Sequence, residues 1–203
     1  MRLLSSAGLA CCLVLVASHA MAASIRSERE IGEEVVKEAR QHLRLIHDYE
    51  VDRLVDEVGE RLVAVLGTQP FDYEFFVVAD DSINAFAVPG GKVFVHAGLI
   101  SRVESIDELA GVMAHEIAHA HAHHAARQQE KAATANYASL LGIFLSIIHP
   151  VLGQAALAAG QGMQLKYQRD FEREADLLGV DYAAKAGYNA GAILRMLRKI
   201  YDE

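Results

Sequence analysis

Cysteine, proline and tryptophan are scarce in this chain, and the shortage of cysteine removes whole classes of site. The 203 residues include two cysteines, three prolines and no tryptophan. Cys11 and Cys12 both lie in an apolar N-terminal segment, so the rest of the chain has neither a disulfide nor a thiolate ligand for a metal. A metal bound outside that segment must therefore be held by His, Asp or Glu.

Positive charge is also in short supply. The chain has 19 Lys and Arg residues against 27 Asp and Glu residues, a formal net charge of −8, whereas a nucleic-acid-binding surface is basic. The composition therefore gives no support to a nucleic-acid partner. Hydrophobic residues make up 52% of the sequence, which is enough for the core of one domain of ordinary size.

Residues 1–22 have a composition of their own. Arg2 precedes an uncharged apolar run from Leu9 to Ala17, and Ala20-Met21-Ala22 is a small-x-small cleavage motif. This order is typical of a secretory signal peptide, and the apolar run is short for a transmembrane span. We expect residues 1–22 to be a cleaved signal peptide and residues 23–203 to form a single domain. An uncleaved membrane anchor and a lipidated cysteine are the alternatives.

The first half of the chain predicts helices followed by a small sheet. Apolar residues recur at helical spacing over residues 24–66, where Ser27 and Glu30 form a capping-box pattern. Residues 71–79 and the two segments that flank Pro89-Gly90-Gly91 are rich in β-branched and aromatic residues, which predicts three strands and a hairpin turn. We therefore expect an α+β fold, mainly helical, with a small antiparallel sheet.

The second half predicts helices alone. Residues 105–131 predict one long helix that begins at a capping box of Ser105 and Glu108. Residues 132–165 contain no Asp, Glu, Lys or Arg; they either close the core as a helical hairpin or offer an apolar surface to a membrane or over the site. The last segment predicts two helices with a break near residues 186–189.

A zinc-binding motif lies on the long predicted helix. His115 and His119 are four residues apart, so both imidazoles project from one face and suit two corners of a tetrahedral zinc site. Glu116, between them, is the general base for an activated water in this motif. His121 faces elsewhere, and His123 is two turns from His115, about 12 Å at 1.5 Å per residue, which one ion cannot bridge. We expect both to be solvated polar residues. The third ligand must therefore come from elsewhere in the chain.

A later segment, Phe171 to Asp176, offers that ligand. Glu172 and Asp176 are four residues apart and share a helix face with Ala175 and Gly179, whose small size would let this helix approach the zinc helix. Glu172 would complete a His-His-Glu site, and Asp176 would accept the second N–H of a ligand histidine. Glu174 faces away on this reading and is expected to be a surface charge.

These motifs resemble those of the HtpX/CAAX-protease-related zinc metallopeptidase family, most of all its periplasmic BepA-like branch. The upstream segment at residues 84–100, NAFAVPGGKVFVHAGLI, adds to the resemblance. The resemblance implies a zincin-type metallopeptidase domain with one zinc ion per chain, a periplasmic location with outer-membrane association left open, Glu172 as third ligand and Asp176 beside it. A histidine five residues after the second ligand recurs in the family, here His124, and its role stays open. The family often has Ser-Arg where this chain has Gln168-Arg169.

The expected function is that of a zinc-dependent endopeptidase that hydrolyses unfolded or misassembled envelope proteins. The tetrahedral oxyanion needs a donor besides the metal, and His124, Arg169 and Tyr167 are the candidates. Asn84 begins a strand with which a substrate peptide could pair, and it either binds the substrate main chain or caps the strand. The alternative function is a zinc-containing chaperone-like or outer-membrane assembly factor with little proteolysis.

Overall fold

The predicted fold class, α+β and mainly helical, is confirmed by a computed structural model, which describes residues 6–131, 137–148, 169–189 and 191–192. The described helices are α1 (Ser6–His42), α2 (Tyr49–Val63), α3 (Ala97–Arg102), α4 (Ile106–His121), α5 (His124–Lys131), α6 (Tyr137–Ile148) and α7 (Arg169–Lys185). The strands are β1 (Glu74–Val78), β2 (Ala85–Val88) and β3 (Lys92–His96).

The three strands form one mixed sheet in the order β1-β3-β2. Strands β2 and β3 are antiparallel and are joined by the predicted turn, in which Gly90 and Gly91 have φ values of 80° and 78°. Strand β1, however, pairs with β3 in parallel, so the expectation of a purely antiparallel sheet was wrong for β1. The loop between β1 and β2 places β3 in the centre and leaves β2 at an edge of the sheet.

Helices cover both faces of the sheet. Because side chains alternate along a strand, Val93 and Val95 of β3 face a core shared with α2 and α4, whereas Phe94 faces a second core shared with α1 and α6. Phe94 stacks between Phe76 and Phe86 of the neighbouring strands, with ring centroids 4.9 Å apart in both pairs. The active-site candidates on α4 therefore rest on the face opposite to α1.

Helix α1 extends much further toward the N-terminus than predicted. It runs without interruption through Ser27, so the proposed N-cap at Ser27 was wrong; the chain contains no proline before Pro70 that would end the helix. Residues 6–22 thus continue into α1, and cleavage after Ala22 stays a prediction. Within the described residues, no helix is both long enough and apolar enough to cross a membrane.

The predicted long helix over residues 105–131 is two helices. Its start is as expected: the Ser105 side chain accepts the N–H of Glu108 at 3.3 Å, and the Glu108 side chain accepts the N–H of Glu104 at 2.9 Å. The helix stops at His121, because His123 adopts a left-handed conformation with a φ of 53°, and α5 begins at His124. This break redirects His124 relative to α4.

Helix α6 is the described part of the uncharged segment at residues 132–165. Its Phe144 and Ile148 are buried in the core that includes Ile31 and Val35 of α1, which favours the alternative that this segment closes the core. Most of the segment lies outside the described residues, so its contact with a membrane stays a prediction.

Candidate metal centre

Two histidines of α4 and one carboxylate of α7 converge on a single point. The Nε2 atoms of His115 and His119 lie 3.0 Å apart, and Glu172 has carboxylate oxygens 3.5 Å from His115 Nε2 and 3.9 Å from His119 Nε2. Ligands of a tetrahedral zinc ion, with bonds of about 2.0–2.1 Å, are about 3.3 Å from one another. The structure thus brings together the three predicted ligands with separations that suit a zinc-sized ion.

The close approach of α7 to α4 depends on small residues, as the sequence predicted. Ala175 is fully buried, and a Cβ atom added to Gly179 would lie 3.0 Å from the main-chain nitrogen of His115. No larger side chain fits at Gly179 without moving one helix. The carboxylate of Glu172 reaches the two histidines because the helices touch here.

The remaining nitrogen of His115 faces Asp176. His115 Nδ1 lies 3.1 Å from Asp176 Oδ1, so the proton of a neutral His115 belongs on Nδ1 and its Nε2 lone pair is directed at the candidate site. Burial lowers the pKa of His115, but the interactions of its N–H groups with the accepting carboxylates of Asp176 and Glu172 outweigh that effect and raise the pKa. The pKa of His119 is lowered by burial and by the charges of His115 and His124.

The donor set itself argues for a cation. Two imidazole nitrogens and a carboxylate oxygen, all electron-pair donors, lie within 4.8 Å of one another. Such a group is stable only around a proton or a metal ion, and three His and Glu ligands with a fourth position left for water are typical of a catalytic zinc site. The residues present therefore fit the predicted zinc ion.

Glu116 faces the edge strand of the sheet. Its Oε2 accepts the main-chain N–H of Ala87 in β2 at 3.0 Å. Desolvation by the surrounding protein raises the pKa of Glu116 to about 7, while the charge of His115 and the Ala87 N–H act in the opposite direction. A carboxyl group with a pKa near neutrality can both accept and release a proton, as a general acid–base group must.

His124 lies behind His119 rather than at the cleft. It is fully buried, its Nδ1 lies 2.8 Å from His119 Nδ1, and its ring stacks on Phe171. Burial lowers the pKa of His124, against the opposing effect of Glu174. The expectation that His124 stabilises an oxyanion or contacts substrate was wrong, because His119 stands between it and the candidate site.

Glu174 lies at the surface, as expected, with 38% of its side chain exposed, but it has two partners there. Its Oε2 lies 3.4 Å from His124 Nε2 and 3.0 Å from Arg127 Nη2. The hydrogen bond from Arg127 is the main cause that lowers the pKa of Glu174. Sequence reasoning missed both Glu174 and Arg127. The one available signal was that Arg127 follows His124 by three residues, the spacing of helix neighbours.

His121 and His123 each have a protein partner, whereas we expected both to be solvated. His121 Nδ1 lies 2.6 Å from the hydroxyl of Tyr182, and His123 Nδ1 lies 3.0 Å from both carboxylate oxygens of Glu28. Both histidines connect secondary-structure elements. Neither belongs to the group of residues that converges on the metal centre.

The other predicted contacts are less closely tied to the site. The main-chain oxygen of Asn84 accepts the N–H of His96 at 3.0 Å, so Asn84 already pairs with β3. Arg169 is exposed at the start of α7. Tyr167 lies outside the described residues. Arg169 and Tyr167 stay candidates as oxyanion donors, and Asn84 stays a candidate for substrate contact.

Comparisons with known proteins place this centre in a peptidase context. The family model described as Peptidase family M48 matches residues 50–201. A Vibrio cholerae protein is 38% identical over 189 residues, and the Beta-barrel assembly-enhancing protease of Escherichia coli K12 is 34% identical over 189 residues. Each alignment covers 89% of this chain and 39% of the relative. The Mitochondrial metalloendopeptidase OMA1 of Schizosaccharomyces pombe is 32% identical over 173 residues, which is 83% of this chain and 50% of that protein.

Proposed function

Because the chain belongs to peptidase family M48, we propose that it is a zinc-dependent endopeptidase whose active site is the centre on α4 and α7. The observation that carries the proposal is the convergence of His115, His119 and Glu172 on one point. The chain spans 39% of the length of its bacterial relatives, so the activity of the whole protein is proposed here and not inherited from them.

The proposed chemistry divides the work between the metal and Glu116. A zinc ion held by the three ligands would supply Lewis acidity toward the scissile carbonyl group and toward water. Glu116 takes a proton from the attacking water and passes it to the leaving amine. One Glu116 oxygen is held by the Ala87 N–H, which leaves the other to receive that proton. Peptide-bond hydrolysis is the reaction that this pairing of a metal with a carboxylate base supports.

Strand β2 is the proposed docking edge for the substrate. Asn84 and Phe86 pair with β3, so the alternation of an antiparallel ladder turns the N–H and C=O groups of Ala85 and Ala87 outward. The Ala87 N–H is donated to Glu116, so an extended peptide could hydrogen-bond to this edge as an added strand through Ala85 and the C=O of Ala87. It would then lie beside Glu116, which contacts Ala87. Recognition through the main chain suits unfolded protein substrates.

The cellular role that we propose is protein quality control in the bacterial envelope. The predicted signal peptide at residues 1–22 supports export to the periplasm, and the name of the Escherichia coli relative refers to β-barrel assembly. Misassembled envelope proteins would be substrates of this kind. The specific substrate, association with the outer membrane and contact of residues 132–165 with a membrane are parts of the same proposal.

Cleavage of an unfolded model protein tests the proposal. Purified protein with one equivalent of zinc is incubated with reduced, unfolded casein, alone or with a chelator, beside Glu116→Gln. We expect wild type to cleave at internal bonds, the chelator to stop cleavage, and Glu116→Gln to bind zinc normally and yet cleave at least 100-fold more slowly, the order of magnitude of a general-base contribution.

Two outcomes would contradict parts of this proposal. Cleavage by Glu116→Gln at the wild-type rate would reject Glu116 as the base. Tight binding of unfolded protein by zinc-loaded wild type, without cleavage, would instead favour the chaperone-like or assembly-factor function. The second outcome leaves the metal centre in place and changes only what it does.

A further inference from the structure

A line of four side chains, of which the first two are buried, runs from the metal centre to the opposite side of α7. His119 Nδ1 lies 2.8 Å from His124 Nδ1, His124 Nε2 lies 3.4 Å from Glu174 Oε2, and Glu174 is held by Arg127 at 3.0 Å. Of these side chains, those of His119 and His124 are 4% and 0% exposed. The line thus leads from a zinc ligand to a surface ion pair.

The distance between the two Nδ1 atoms requires one proton between them. At 2.8 Å the contact is a hydrogen bond, in which one nitrogen donates and the other accepts. If His119 donates, its Nε2 keeps a lone pair for zinc. If His124 donates instead, a neutral His119 carries its proton on Nε2 and cannot be a ligand.

Glu174 decides between these two arrangements. When His124 accepts at Nδ1, its own proton lies on Nε2, 3.4 Å from the Glu174 carboxylate, and the charge of the carboxylate attracts it. In the reverse arrangement the Nε2 lone pair of His124 would face that carboxylate, which is repulsive. Arg127 keeps the carboxylate charged and in place through its hydrogen bond of 3.1 Å to Oε1. Phe171 restricts the orientation of both side chains. The His124 ring stacks on the Phe171 ring with centroids 4.7 Å apart, and Arg127 Cζ lies 4.8 Å from the Phe171 centroid.

We infer that His124 is a positioning residue, which together with Glu174 and Arg127 holds His119 in the tautomer that binds zinc. His115 is oriented directly by Asp176, and His119 is oriented through one additional imidazole. The inference rests on the proposed zinc site. It gives His124 a role that neither the motif nor its spacing assigns.

Zinc affinity and the tautomer of His119 test the inference without any assay of activity. Zinc dissociation constants are measured by competition with a fluorescent chelator for wild type, His124→Leu, His124→Asn and Glu174→Gln. Loss of an orienting partner typically weakens metal binding by roughly 10- to 100-fold, and we expect that loss for His124→Leu. His124→Asn keeps an acceptor oxygen near the position of Nδ1, so it should bind zinc more tightly than His124→Leu. Glu174→Gln should fall between wild type and His124→Leu.

The ¹⁵N spectrum of the histidines reports the tautomer directly. In wild type without zinc we expect His119 to carry its proton on Nδ1, and in His124→Leu to populate both tautomers. The matched control is His123→Asn, which removes the adjacent imidazole, suits the left-handed backbone there and contacts no ligand. It should bind zinc as wild type does. If His124→Leu does not fold, as judged by circular dichroism, His124→Asn and Glu174→Gln carry the test, because the Glu174 side chain is 38% exposed.

The outcomes separate this inference from the proposed function. A wild-type protein that binds no zinc would reject the metal centre itself. A wild type that binds one zinc ion while folded His124→Leu or Glu174→Gln binds it within twofold of the same affinity would reject the positioning role alone. Equal weakening in His124→Asn and His124→Leu would also reject it, because a purely structural role of the imidazole predicts no rescue by an acceptor oxygen.

Discussion

Replacement of Gly179 by alanine is expected to weaken zinc binding, although alanine is the better helix former. An added Cβ would lie 3.0 Å from His115 N, 3.1 Å from His115 Cα and 3.2 Å from Ala114 C. All three are main-chain atoms of α4, so no side chain can rotate away. Helix α7 must move relative to α4, and it carries both Glu172 and Asp176.

The required displacement is larger than the metal centre tolerates. Ordinary contact begins at 3.4 Å, so the helices must separate by about 0.4 Å at His115, whereas metal–ligand distances hold to within about 0.2 Å. We therefore expect zinc binding to weaken by roughly 10- to 100-fold, the range for a disturbed supporting contact. Alanine gains about 1 kcal/mol in helix propensity, against about 1–3 kcal/mol for overpacking. The free energy of unfolding should thus fall by at most about 2 kcal/mol.

Two measurements on the same samples check this prediction: the zinc dissociation constant by chelator competition, and the thermal unfolding midpoint without zinc. Leu177→Ala is the control, because Leu177 lies on the same helix but is 66% exposed. The control should bind zinc as wild type does. Wild-type zinc affinity in Gly179→Ala would refute the reasoning, since it would mean that α7 can move without carrying Glu172 out of reach.

Three further predictions concern single residues. Glu172→Ala should leave the far-ultraviolet circular dichroism spectrum unchanged, because its side chain is 35% exposed, but should abolish stoichiometric zinc by metal analysis; full occupancy would exclude Glu172 as a ligand. Ala87→Pro removes the N–H that holds Glu116 without removing a hydrogen bond between β2 and β3. Casein cleavage should then slow by about tenfold or more while the zinc content stays normal. An unchanged rate would show that this hydrogen bond does not position the base. The bond to Glu28 is the main cause that raises the pKa of His123. Relative to His123→Asn, this pair should stabilise the fold by less than about 1 kcal/mol, the range for a partly exposed pair. The full stabilisation should therefore be present below pH 6.5 and be lost as the pH rises through the raised pKa of His123. Thermal unfolding of both proteins from pH 5.5 to 9 measures it, and a stability difference independent of pH would contradict the assignment.

The predicted site residues that the structure brings together are related by helical spacing. His115 with His119, and Glu172 with Asp176, each lie four residues apart, and a helix places such pairs on one face whatever the rest of the fold does. The small residues Ala175 and Gly179 were predicted for the same reason. These inferences needed only local geometry together with the pairing of the two motifs.

Apart from the N-cap at Ser27, which failed because α1 starts earlier, the wrong predictions depended on how distant segments meet. The parallel pairing of β1 with β3 is set by the path of the loop between β1 and β2, whereas strand patterns specify faces and not neighbours. The break at His123 occurs at a residue type for which helix is acceptable; the Glu28 carboxylate, 95 residues away in sequence, holds its side chain. Neither contact leaves a periodic signal in the sequence.

The acidic residues of α7 show why a helical projection alone misassigns roles. At 3.6 residues per turn, Glu174 lies about 160° around the helix from Glu172, which is why it was taken for a surface charge. Yet His124 comes to that side of α7, because α4 ends at His121 and the chain restarts as α5 beyond the left-handed His123. One helix therefore supplies the third ligand, the partner of His115 and the carboxylate behind His119 from different sides of its surface. The contacts of Glu172 and Asp176 with the histidines of α4 require the short distance between α7 and α4 that Ala175 and Gly179 allow, whereas Glu174 contacts His124 and Arg127 of α5.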